Sequence, residues 1–312
     1  MTERRKPERS GAMTKTRIFL SAVAMLGLAS EVLAGDITPA EIFQKTEAAY
    51  ASLPTYQSDG TATTDMDNGG MKMQTETSFS ILLKKPNLYR ISWAQKNMPM
   101  PGMSQSGTVW SDGTQPYLYM GVMNAYSKII GDQMALSAAT GISGGTAHTV
   151  PSLFLPSVKA QSSMFSKLIN PQVEKTEKFG DDDCYVISGP SRTSKSETFW
   201  ISKTTYLIRK FSRSLERPEG GRQMPEITDE ELAKSIKAMG LEVTDETKKS
   251  MREMMEKSRS MLNTTTLKGS MTEVQAHISS PALTEKDFHF SPPADAMLKD
   301  SLFAGIIGGG KP

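Results

Sequence analysis

Residues 71–95 read MKMQTETSFSILLKKPNLYRISWAQ, and the period of that stretch decides the fold. Its odd positions are Met71, Met73, Thr75, Thr77, Phe79, Ile81 and Leu83; its even positions are Lys72, Gln74, Glu76, Ser78, Ser80, Leu82 and Lys84. Apolar and polar residues alternate with a period of two, because successive side chains of a strand point to opposite faces. After a Lys-Pro-Asn turn the pattern resumes with Tyr89, Ile91 and Trp93. Two long antiparallel strands with a short connection predict a hairpin with one apolar face.

Shorter strands are expected downstream at SGTVWSDG (106–113), QPYLYMG (115–121) and AYSKII (125–130), separated by Ser-Asp-Gly and Met-Asn turn signals. More follow at VEKTEKFG (173–180), DCYVISGPS (183–191), SETFWISK (196–203), YLIRKFSRSLE (206–216), TLKGSMTEVQAHIS (266–279) and KDFHFSPP (286–293). Upstream, DITPAEIFQKTEAAYASL (36–53) predicts an amphipathic helix: Thr38 caps it, Pro39 opens it and Glu41 completes a capping box. Residues 137–170 lose the alternation, and we read a mobile Gly-rich loop followed by a helix around Ser162–Leu168. Residues 218–262 form a helical hairpin inserted between two strands. Thr228 with Glu231 starts its first helix, Gly240 stops it, and Thr244 opens a second with Met251, Met254, Met255 and Leu262 at helical spacing.

A sheet that is apolar on one face must be covered, and these helices are too few to match a second sheet. The expected fold is α+β: an incomplete antiparallel β-barrel, a half-pipe whose concave face is covered by helices, with room for a cavity. The expected organisation is a signal peptide at 1–34, one domain at 35–300 carrying the 218–262 insertion, and a flexible tail at 301–312.

The basic opening, the apolar run Ile18–Ala29 and the small residues Val32 and Ala34 read as a secretory signal cleaved after Ala34. The run is shorter than the roughly 20 residues that span a bilayer. Without residues 1–34 the chain holds 30 basic and 31 acidic residues, which gives no footprint for nucleic acid. A lone cysteine, Cys184, excludes an internal disulfide and a lipid-anchoring cysteine at the cleavage site, so a soluble periplasmic protein is expected. No nucleophile elbow, zinc-type histidine spacing or phosphate loop appears, so neither an enzyme nor a cofactor is expected. The acidic run Asp181–Asp183 after Gly180 reads as a hairpin turn.

Methionine is the unusual feature: 21 in the chain, three of them (Met98, Met100, Met103) in KNMPMPGMSQSG (96–107). Thioethers in that loop could ligate copper(I), or could form a flexible apolar lip at a cavity entrance. The alternation points to the second reading. The candidate lining is Met73, Phe79, Ile81, Leu83, Tyr89, Ile91 and Trp93, with Tyr117 and Tyr119 next and the three loop methionines at the rim.

The order of helix, long hairpin, KKPNLYRISW, VWSDGTQPYLYMGVMNAYSK, GDDDCYVISG, TFWISKTTYLIRKF and a terminal DFHFSPPADA resembles the superfamily of periplasmic outer-membrane lipoprotein carriers, LolA and its relatives, across about residues 36–296. The resemblance implies a half-pipe with a helical lid that holds acyl chains. It implies as partners a lipid or acylated lipoprotein and a membrane protein that donates or receives it. A sensor of envelope stress on the same fold is a further alternative. The chain departs from that pattern in its insertion, in Ile201–Lys203 and in its methionines, and Arg90 falls on the polar face.

Overall fold

In the computed structural model, which describes residues 37–68, 71–96, 105–158, 164–217, 228–238, 242–263 and 267–302, the first element is α1 (Pro39–Ser52). Its capping box forms as read: the Thr38 hydroxyl accepts from the Glu41 amide, and the Glu41 carboxylate accepts from the Thr38 amide at 2.8 Å. Six strands follow as a meander: β1 (Thr55–Asn68), β2 (Met71–Lys84), β3 (Leu88–Lys96), β4 (Gln105–Asp112), β5 (Pro116–Met120) and β6 (Ala125–Lys128). The opening hairpin of the sequence reading is β2/β3, with Phe79 opposite Trp93, Ile81 opposite Ile91 and Leu83 opposite Tyr89.

Two helices come next, α2 (Asp132–Ile142) and α3 (Thr149–Phe154). The second meander is β7 (Gln172–Phe179), β8 (Asp182–Gly189), β9 (Glu197–Ser202) and β10 (Ile208–Arg217). The inserted hairpin, α4 (Asp229–Ala238) and α5 (Asp245–Asn263), leads into β11 (Leu267–Ser279), which pairs with both β10 and β1 and so joins the two meanders. β12 (Met297–Leu298) ends the order β12-β6-β5-β4-β3-β2-β1-β11-β10-β9-β8-β7. Every described neighbour is antiparallel except β12 on β6. The order has two ends, so this single sheet is not closed, as the half-pipe expectation requires.

One face of the sheet, here the inner wall, packs under α1, α2, α3 and the segment through Leu168. Ile42, Phe43 and Tyr50 of α1 meet Phe165, Phe199 and Tyr56: Phe43 stacks on Phe165 at 4.3 Å between centroids, and Phe165 stands edge-on to Phe199 at 5.3 Å. Gly60 and Gly107 lie beneath wall aromatics. A Cβ at Gly60 would come within 2.3 Å of the Phe79 ring, and one at Gly107 within 2.3 Å of the Trp93 ring. Only glycine lets these rings lie across the neighbouring strand.

Two expectations for the centre of the chain are corrected. The Gly-rich run is a packed plug: Ser143, Gly145, Thr146 and Ala147 are buried between α2 and α3. The helix expected around Ser162–Leu168 is one short 3-10 turn over Met164–Lys167, and the cover comes from α2 and α3 instead.

The opposite, outer face is crossed by the C-terminal strap, residues 280–302, in which the strand expected at 286–293 is instead a 3-10 turn over Glu285–Phe288 followed by irregular chain. Lys84 donates to the Leu283 carbonyl at 2.9 Å and Arg90 to the His289 carbonyl at 3.2 Å. Phe288 is fully buried, and Leu302 ends the strap inside the core of the inner face, past the boundary at residue 300 expected from the sequence. Among the described residues no helix is long and apolar enough to cross a membrane.

Candidate functional site

The inner wall brings together Phe79, Ile81 and Leu83 of β2 with Tyr89, Ile91 and Trp93 of β3. All six are buried in one cluster with the covering helices. In this arrangement they are the protein's core, and each contributes roughly 1.5–3 kcal/mol through its removal from water. The wall continues past the cover. β1 and β2 run on beyond the last β3 pair, Glu76 with Lys96, and there Met73 faces Met66 in register, both half-buried. Around these strand ends and β11 lies an open surface groove of about 490 Å³ in which Met66, Met73 and Gly269 are flanked by the polar and charged Asp65, Asp67, Lys72, Gln74, Lys268 and Ser270.

Tyr117 and Tyr119 are on the other face. On β5 it is Pro116, Leu118 and Met120 that turn inward; Tyr117 stacks on Trp110 at 5.1 Å, and Phe290 of the strap packs on Trp110 and Tyr119. Their rings are half-buried, and the Tyr119 hydroxyl donates to the Asn124 side chain at 3.2 Å. They are removed from the wall because strand alternation assigns them to the strap side. Met98, Met100 and Met103 fall between Lys96 and Gln105, outside the described residues, as does Ala34. Arg90 is on the outer face, as read.

Sequence reading missed a buried polar group at the middle of the wall. Glu273 and Gln275 of β11 point inward beside Met271. Thr149, the first residue of α3, donates to Glu273 Oε2 at 3.0 Å, and Gln275 Nε2 donates to Glu273 Oε1 at 2.6 Å. Ser58 and Tyr56 of β1 donate to Gln275 Oε1 at 2.7 and 3.4 Å. Glu273 thus joins cover to wall. Burial pushes its carboxyl up to about 7, against the opposing pull of these hydrogen bonds and of the Arg213 charge on β10. Met271, Glu273 and Gln275 alternate with Thr272 and Val274, so period alone could have marked both polar residues as sharing a face with a methionine.

A second attachment lies at the start of α2, where the Tyr89 hydroxyl donates to Asp132 at 3.2 Å; burial and the Asp132 charge raise the phenol. The plug lies close to the wall between these attachments: a Cβ at Gly144 would reach the Thr77 hydroxyl at 3.4 Å and the Gln95 amide at 3.7 Å, and one at Gly145 would come within 2.7 Å of the Met271 methyl. Away from the wall, Cys184 is a buried strand thiol on β8, pushed up to about 11 chiefly by burial. A thiol so rarely ionised is a poor nucleophile.

No family model matches the chain, and no curated protein matches it. Solved structures do. An uncharacterised conserved protein from Thermus thermophilus is 10% identical over 83% of this chain and 97% of its own, with a TM-score of 0.39. The Mycobacterium tuberculosis lipoprotein LppX is 12% identical over 78% and 95%, at 0.36. A LolA superfamily protein from Nitrosomonas europaea is 9% identical over 81% and 98%, at 0.29. At such scores the functional reading rests on the wall and its cover.

Proposed function

We propose that this chain is an exported, non-catalytic carrier whose ligand is an acyl chain of a lipid or of an acylated protein, held between the inner wall and α1, α2 and α3. One observation carries the reading: the inward face of β2 and β3 is aromatic and aliphatic at Phe79, Ile81, Ile91 and Trp93 under the helices and, past a band of Thr75, Thr77 and Gln95, turns apolar again at the half-buried Met73 and Met66. An acyl chain needs a surface without directional demands, and unbranched methionine refits around different lengths. At about 0.8 kcal/mol per buried methylene, a dozen carbons contribute on the order of 10 kcal/mol, enough to offset displacement of a short cover. The exchange is movement of α2, the plug and α3 away from the wall. The carrier works in the periplasm after cleavage at Ala34 and passes its ligand to a membrane protein.

The test is mass spectrometry of the organic extract of protein purified from its own envelope, followed by titration of the delipidated protein with a fluorescent fatty acid that palmitate displaces. Acyl species near one per chain and a displaceable probe are expected. An extract without acyl species, together with a probe that does not bind, overturns the reading.

A further inference from the structure

Among the described residues Glu273 is the only buried side chain of a charged type, at 1% exposed. In register it lies between Phe211 of β10 and Ala62 of β1, so the side chains directly beside it are apolar. Its hydrogen bonds come from along its own strand and from the cover. The Ser58 and Tyr56 hydroxyls occupy Gln275 Oε1, which leaves Gln275 Nε2 to donate to Glu273 Oε1. That oxygen is fixed as an acceptor, so the carboxyl proton belongs on Oε2, 3.0 Å from the Thr149 hydroxyl of α3. A hydroxyl can donate or accept. The neutral carboxyl therefore donates to Thr149, and the ionised one accepts from it but holds a full charge among apolar neighbours.

Lifting α3 parts Thr149 from Glu273 and gives the carboxylate to water. With the cover down, burial pushes the carboxyl up to about 7; exposed, it titrates as an ordinary glutamate near 4.5. The closed state thus binds the proton more tightly, and rising pH shifts the balance toward open. The groups around it leave that sign unchanged. Tyr50 of α1 and Tyr56 of β1 are held neutral by burial, and the Arg213 charge on β10 lowers the carboxyl without overcoming burial. His148, which precedes Thr149, is held below its ordinary range by desolvation and by the Lys167 and Arg213 charges. We propose that the contact of Thr149 with Glu273 latches the cover and that loss of the Glu273 proton releases it, so that the carrier stays shut in acid and takes up its ligand as the pH rises. This rests on the carrier reading and adds its regulation.

The experiment follows delipidated full-length protein at pH 5.5 and pH 8 by two readouts. Amide protection of peptides over 147–155, corrected for the intrinsic exchange rate, is expected to fall on the order of tenfold between the two. Affinity for 1-monopalmitoylglycerol, whose charge does not change with pH, should rise by a similar factor, read by displacement of N-phenyl-1-naphthylamine. Glu273→Gln keeps the shape and cannot ionise, so it should hold both readouts at one value. If either readout is flat with pH in wild type, or if its change survives in Glu273→Gln, as it would were His148 the source, the latch is overturned and the carrier stands. Binding at neither pH removes the carrier reading itself. If Glu273→Gln does not fold, Thr149→Val decides. It keeps the carboxyl and removes its partner, so cover protection at pH 5.5 should drop several-fold, and unchanged protection there overturns the latch.

Discussion

At Glu273 two effects oppose each other: desolvation of a fully buried carboxylate and the hydrogen bonds from Thr149 and Gln275 that reward its charge. Burial is the larger, and the folded carboxyl titrates near 7 where an ordinary glutamate titrates at 4.5. The folded state therefore holds more protons than the unfolded chain between those values, and stability falls as pH rises through that window. The contribution is fully present below about 4.5 and is lost by the time pH has passed about 7. The size is on the order of 3 kcal/mol, from roughly 1.4 kcal/mol per unit. The charges facing this group are Arg213 from β10, with Tyr56 of β1 and Tyr50 of α1, both held neutral by burial. Glu273→Gln cannot ionise. It is expected to remove most of the pH dependence between 5 and 8 and to be more stable than wild type at pH 8, read from urea midpoints at both ends. A wild-type midpoint that stays flat across the window would contradict the assignment.

The inserted hairpin is an element with a core of its own: Leu232 and Ile236 of α4 and Met251 of α5 are buried, and none of them belongs to the cluster under the wall. The Arg252 guanidinium pairs with Asp229 across the two helices. The strands that flank it are already in register, with Arg217 opposite Leu267. A short turn joining those two residues can therefore replace 218–266, and the shortened protein is expected to melt within a few degrees of the parent by circular dichroism. A collapse of the melting temperature would make the hairpin part of the body. Both of its start signals were legible, because Thr228 with Glu231 and Thr244 with Thr247 make local hydrogen bonds that depend only on spacing. β2 and β3 were legible for a similar reason, one face being apolar throughout. β1 was not: its inward positions include Ser58, Gly60 and Thr64, small residues whose space is taken by rings from neighbouring strands such as Phe79. Nor was α2, which starts at Gly131 with no side-chain cap and buries mainly alanines. Tyr117 and Tyr119 were misassigned because an aromatic strand looks alike on either face until the strap, far along the chain, supplies Phe290.

For the whole molecule, the two faces of the sheet are secured unequally. The outer face is bound by a strap that begins with Ser280 donating to the Thr55 carbonyl at 2.7 Å, crosses β2 and β3, pairs β12 with β6 and plants Leu302 in the core. The inner face is held by short helices joined through a plug with unpaired hydroxyls, and by side-chain hydrogen bonds at Thr149 and Asp132. Local opening is cheapest where buried polar groups are unsatisfied and segments are short, so the sheet should stay whole while the cover lifts. Amide hydrogen exchange followed by mass spectrometry tests this asymmetry directly. Peptides from 132–155 should exchange at a free energy several kcal/mol below those from β2, β3 and β4, and palmitoylglycerol should slow the former without changing the latter. Exchange at one common rate would mean that cover and wall open only together, by global unfolding, and a carrier that must unfold to load is not the mechanism proposed.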